Sequence, residues 1–178
     1  MKRQVRVDLD ELAIALDTDF SELHQYLDLE TGQIVPIMQE IASELEEIYD
    51  EVYDEEGKRV VTLEDYLKQR DDDPDWQKEM LLEADRVEQG YGTRYIRVER
   101  ADPHDAYRTM ERFIGTVEDA DLRERLWTAI QGRGAFRCFR DQLARHPQVR
   151  EDWFAFKDAR LQRRVAGWLE YHDIEPVQ

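Results

Sequence analysis

Apolar residues recur at helical spacing along most of this chain, and the period shortens to two in a few places. Asp8 followed by Glu11 forms a capping-box pattern, and Leu9, Leu12, Ala13 and Leu16 then mark the inner face of a first helix. After Asp17-Thr18-Asp19 the spacing changes. His24 to Leu29 and Gln33 to Ile37 read as two short strands around Glu30-Thr31-Gly32, a loop closed by a glycine able to take left-handed geometry. Met38, Ile41, Ala42, Leu45, Ile48, Tyr49 and Val52 restore the helical period, with Glu and Asp filling the opposite face.

Residues 53–73 read as a loop region holding a short helix near Leu63 to Leu67. Pro74 starts another helix, whose expected inner stripe is Trp76, Met80, Ala84 and Val87. Tyr95 to Glu99 alternates again and predicts a third strand, with Tyr95, Arg97 and Glu99 on one face and Arg94, Ile96, Val98 and Arg100 on the other. Beyond it the pattern is helical throughout. Asp102-Pro103-x-Asp105 opens a helix with Ala106, Met110, Phe113, Ile114 and Val117 inward. Residues 120–131 follow with Leu122, Leu126, Trp127 and Ile130 inward. A helix from Ala135 to about Arg145 is expected to bury Phe136, Phe139 and Leu143. After His146-Pro147 a last helix carries Trp153, Phe154, Leu161, Val165, Trp168 and Leu169.

These elements predict an α+β fold. A small antiparallel sheet of about three strands, the hairpin plus one later strand, packs with six or seven helices, and the C-terminal half is helical. The 178 residues suit a single domain, 1–178, with 38–93 as an acidic helical insertion between the hairpin and the third strand.

Charge changes this picture more than composition does. The formal net charge is −17. Residues 1–93 hold 27 acids against 9 bases, whereas residues 120–165 hold 11 bases against 6 acids. An acidic surface favours solubility and repels nucleic acid, but the basic segment has the opposite potential. The single cysteine, Cys138, excludes an internal disulfide. With no apolar run of membrane length and no signal-peptide core, the expected location is cytoplasmic, with no membrane partner.

The most pointed local feature is Gly132-Arg133-Gly134-Ala135-Phe136-Arg137-Cys138-Phe139-Arg140. Two glycines before a helix let an anion approach its first amides, and arginine suits bidentate recognition of phosphate or carboxylate. Gly132, Arg133, Gly134, Arg137 and Arg140 are therefore candidates for binding an anion or an acidic partner. A second reading has these arginines pairing with the acids of residues 1–93. Other candidates carry less. Asp71, Asp72, Asp73 and Asp75 lack calcium-loop spacing, and His24, His104, His146 and His172 are scattered without zinc-site spacing. Cys138 is expected to be a small buried residue. Catalytic, cofactor and metal residues are not nominated, and nothing in the residues argues for an enzyme.

Tyr26-Leu27-Asp28-Leu29-Glu30-Thr31-Gly32, Tyr95-Ile96-x-Val98 and Ala106-Tyr107-x-x-Met110-x-x-Phe113-Ile114 resemble the ordered blocks of one bacterial family. So do the Gly132–Phe139 block, Pro147, Arg150, Trp153-Phe154-x-Phe156-Lys157 and Trp168-Leu169. This is uncharacterised protein family zero-one-five-eight, which brings with it no activity, cofactor or catalytic residue. The function is thus unknown from the sequence. The favoured expectation is a non-enzymatic binding or regulatory protein, using the Arg-rich turn and helix over 132–145 for an anionic ligand or a protein or nucleic-acid partner. One alternative is a protein-interaction module or nucleic-acid mimic acting through the acidic N-terminal half. Another is an unrecognised hydrolytic enzyme with carboxylates and His104 near the arginines.

Overall fold

A computed structural model describes residues 2–177. The chain divides into two compact units. One runs to Arg100 and takes in the chain again from Asp173, and the other is Ala101–His172.

The first unit holds β1 (Arg3–Val5), α1 (Leu9–Asp17), β2 (Leu23–Asp28), β3 (Ile34–Met38), α2 (Gln39–Val52), α3 (Leu63–Lys68), α4 (Asp75–Gln89), β4 (Tyr95–Val98) and β5 (Ile174–Pro176). The Asp8 carboxylate accepts from the amides of Asp10 and Glu11 at 3.0 Å, so α1 starts at its predicted cap. The hairpin pairs Leu23 with Met38 and Leu27 with Ile34, and β4 joins the other edge of β2, with Gln25 opposite Val98. The resulting order, β3-β2-β4, is the expected three-stranded antiparallel sheet. Gly32 closes the hairpin at φ +75°, and a Cβ there would collide with the Arg6 carbonyl. Glycine is required at this position for both reasons.

Ile37, Ile41, Leu45, Ile48, Val52, Leu63, Leu67, Leu81, Ala84, Val87 and Tyr95 form one buried cluster. The helices of residues 38–93 therefore share a core with strand residues Ile37 and Tyr95. The inner stripe of α4 holds the expected Ala84 and Val87, with Met80 against the same core, and adds the fully buried Leu81, while Trp76, in the first turn, lies 61% exposed. The core contacts of α4 begin a full turn beyond Trp76.

A second difference concerns the chain ends. The pattern predicted only helix after the third strand, yet β5 pairs in parallel with β1, Arg3 facing Ile174 and Val5 facing Pro176. Asp173, at φ 54°, turns the chain out of the preceding helix into this strand, a conformation that Asp tolerates better than most residues. Two three-residue strands have no readable periodicity, and their partner lies at the far end of the sequence.

The second unit is helical: α5 (Asp105–Ile114), α6 (Ala120–Ile130), α7 (Ala135–Ala144) and α8 (Pro147–Tyr171). Eight helices are present among the described residues. Met110, Phe113, Ile114, Leu122, Leu126, Ile130, Phe139, Leu143 and Trp153 make the core. Phe113 sits at its centre, edge-on to Phe139, Trp153 and Phe156 with ring centroids 5.2–6.3 Å apart. Four residues expected inside are exposed: Ala106, Trp127, Phe136 and Phe154. Each of these helices buries a narrow stripe, such as Leu122, Leu126 and Ile130 in α6 or Phe139 and Leu143 in α7, and apolar neighbours at its margin turn to solvent.

Neither unit contains a helix long and apolar enough to cross a membrane, among the described residues.

Candidate functional site

The Arg-rich segment is positioned by contacts on either side of it. Upstream, the Tyr107 hydroxyl donates to the Ile130 carbonyl at 3.0 Å, which ties the end of α6 to α5. Downstream, Phe139 packs against Phe113 and Trp153 and, with Leu143, anchors α7. Between these anchors the chain turns over Gln131 to Gly134. Gly134 is left-handed at φ 72° and stands where the helix cap would be, and no side chain caps the first turn of α7. Its leading amides are thus left to solvent or to a ligand. Cβ atoms built on Gly132 and Gly134 meet nothing within 4 Å, so the turn is open on its outer side.

All three candidate arginines are exposed. Arg137 Nε lies 3.9 Å from Asp141 Oδ2, with the two side chains 83% and 66% exposed. A solvated i,i+4 pair of that length contributes ~0–0.5 kcal/mol. Among the described residues Arg133 and Arg140 form no ion pair. Several other basic residues of the unit are committed to structure. Arg160 Nη2 reaches Asp105 Oδ1 at 2.6 Å, and Arg123 Nη1 donates to the Val117 carbonyl at 2.7 Å. Arg150 and Lys157 both lie over the Phe154 ring, at 5.4 and 5.3 Å from its centroid.

The structure therefore brings Arg133, Arg137 and Arg140 onto one exposed turn and helix start. It also places Phe136 there, 50% exposed, where the spacing had assigned it to the core. The Phe136–Phe139–Leu143 spacing fits an apolar face, and only the packing shows that Phe139 and Leu143 suffice. Cys138 is likewise exposed rather than buried. It borders an open groove of about 620 Å³ between α6 and α7, together with Asp121, Glu124, Arg125, Thr128 and Gln142. Among the described residues no three His, Cys, Asp or Glu side chains are grouped to hold a metal ion. His104 is exposed and precedes α5 without capping it through its side chain.

Comparison with known proteins adds ancestry but no activity. The model of "Uncharacterised protein family (UPF0158)" matches residues 67–178, which include α4, β4 and the whole Arg-rich segment. The UPF0158 protein PA5073 of Pseudomonas aeruginosa is 26% identical over 175 residues, covering 98% of this chain and 88% of that protein. No solved structure matches. The chain belongs to the uncharacterised protein family UPF0158.

Proposed function

We propose that this protein is a non-enzymatic binding or regulatory protein that engages an anionic ligand or partner through Arg133, Arg137 and Arg140. The observation that carries this reading is the pair Arg133 and Arg140, exposed and without an ion pair among the described residues, beside an uncapped helix start. The arginines are spread along an exposed turn and helix instead of converging on a closed cavity. That arrangement suits an extended anion, such as a nucleic-acid backbone or an acidic protein segment. The half-exposed Phe136 adds a face on which a base or an apolar side chain can stack.

Capture of the tagged protein from a bacterial lysate, with and without nuclease, tests this beside the Arg133→Glu/Arg137→Glu/Arg140→Glu variant. The expected result is an anionic partner held by the wild type and lost from a variant whose circular dichroism and thermal midpoint are unchanged. Equal capture by both proteins would remove the arginines from the binding surface.

A second reading places the working surface on the acidic unit, where Glu40, Glu46, Glu47, Asp50 and Glu51 are exposed on α2. Such a face fits a basic partner. Deleting this region would remove core residues Ile41 to Val87, so charge reversal is the sounder test. Glu40→Lys/Glu47→Lys/Glu51→Lys is expected to abolish capture of a nuclease-resistant partner if this face binds it. Undiminished capture by that variant would discard the second reading.

A further inference from the structure

A cavity of about 160 Å³ opens at one end of the three-stranded sheet, away from the Arg-rich helix in sequence and inside the acidic unit. Its polar lining is Ser21, His24, Gln25, Arg97 and Arg100, and none of the residues lining it is acidic. This is a conspicuous departure for a region whose first 93 residues carry 27 acids against 9 bases. Arg97 forms no ion pair or side-chain hydrogen bond among the described residues, although carboxylates are plentiful in its unit. By contrast, Arg94, three residues earlier, is held by Asp28 and Glu30.

The geometry points to a binding site for a phosphate or phosphomonoester group, held by Arg97 and Arg100 with His24 and Ser21 as further donors. The sheet supplies the positions. His24 lies on β2 next to Gln25, which faces Val98 across the β2–β4 ladder, so the imidazole and the end of β4 are brought together. Residues 97 and 100 would lie on opposite faces of a continued strand, but β4 ends at Val98 and Arg100 is released from the alternation. At ~30 Å³ per water the cavity holds about five waters, room for one tetrahedral oxyanion and not for a nucleoside. The Arg97 guanidinium offers planar paired donors to its oxygens and Arg100 adds a second positive charge, while the imidazole and hydroxyl come from an earlier stretch of the chain. Burial, then the charges of Arg97 and Arg100, depress the His24 pKa, as expected of a ring near two cations.

The test is a titration of the full-length protein with inorganic phosphate, methyl phosphate and acetate at constant ionic strength, followed through the His24 imidazole proton resonances. Inorganic phosphate is expected to saturate with a Kd of about 1 mM or tighter and to raise the His24 pKa. Arg97→Gln, an exposed substitution, is expected to weaken binding about tenfold or more with an unchanged thermal midpoint. The Arg133→Glu/Arg137→Glu/Arg140→Glu variant is expected to bind phosphate as the wild type does. Methyl phosphate equal to inorganic phosphate would identify the end group of a larger phosphomonoester as the ligand; a tenfold weaker response would identify free phosphate. Acetate binding as tightly as phosphate, an unsaturable His24 shift, or full affinity in Arg97→Gln would each overturn the assignment.

Discussion

The two units differ in charge, yet each holds both pinned and open arginines. Residues up to Arg100 and from Asp173 hold 30 acids and 12 bases, whereas Ala101–His172 hold 12 acids and 13 bases. In the acidic unit several arginines are pinned: Arg94 by Asp28 and Glu30, Arg70 by Glu44 and Asp73, and Arg59 by Asp85. In the near-neutral unit Arg133 and Arg140 have no such partner among the described residues. In either unit an arginine becomes part of the scaffold where the fold sets a carboxylate beside it, as at Arg94 and Arg160, and stays open where it does not, as at Arg97 and Arg140. Arg97 is one of the unpinned arginines of the acidic unit, with Arg6 and Arg86 among the described residues, and of these three it alone lines the cavity.

The largest expected effect breaks the scaffold beneath the candidate site. Phe139 is 1% exposed and touches both Phe113 and Trp153. Phe139→Ala is expected to cost about 3–5 kcal/mol in denaturant unfolding and to loosen α7. A loss below about 1 kcal/mol would mean that the arginines do not depend on this anchor.

Next comes the pinned arginine of the acidic unit. Burial of Asp28 alone would raise its pKa, but the paired hydrogen bonds from Arg94, with the Glu30 amide and Thr31, prevail and bring it from 3.8 to about 2. A depressed folded-state pKa contributes stability that is present above the unfolded value and lost as pH falls through the folded one. By linkage the contribution is about 2 kcal/mol. Asp28→Asn is therefore expected to be less stable than the wild type by about 2 kcal/mol near neutral pH. The gap should hold down to about pH 5 and close between about pH 4 and pH 2. A gap that persists unchanged at about pH 2 would show that lost packing, not charge, causes it.

The glycine turn sharpens the comparison at a smaller scale. Gly134→Ala is expected to cost about 1 kcal/mol because φ is +72° there, while Gly132→Ala, with open space and no positive φ, is expected to cost roughly nothing. Equal costs in thermal unfolding would contradict the left-handed turn. Smallest of all, Arg133→Glu with Arg140→Glu is expected to change stability by less than about 0.5 kcal/mol, since no ion pair is lost. A larger loss would make these arginines scaffold residues like Arg94.

Much of the fold was legible because its signals are local. Asp8 announced α1, Gly32 announced the hairpin, and the Ile41–Leu45–Ile48–Val52 spacing announced α2. Within the candidate site, the arginines and the turn were readable, since a glycine pair before a helix is a short-range pattern. The exposure of Phe136 and Cys138 was not, because an apolar residue at helical spacing has the same sequence signature whether or not a neighbour covers it. The parallel pairing of Arg3–Val5 with Ile174–Pro176 escaped for another reason, its few bonds depending on chain ends meeting.

By itself, then, the sequence determined the α+β class, the hairpin, the order of the helices and the segregation of charge along the chain. Periodicity, caps and turn residues act over a few positions, and charge is a count. Which arginines were pinned and which left open was decided by tertiary structure. So was the gathering of His24, Arg97 and Arg100 around one cavity. Ion pairs and cavities depend on side chains brought together from distant positions, and pairing in the sheet placed His24 beside arginines more than seventy residues away.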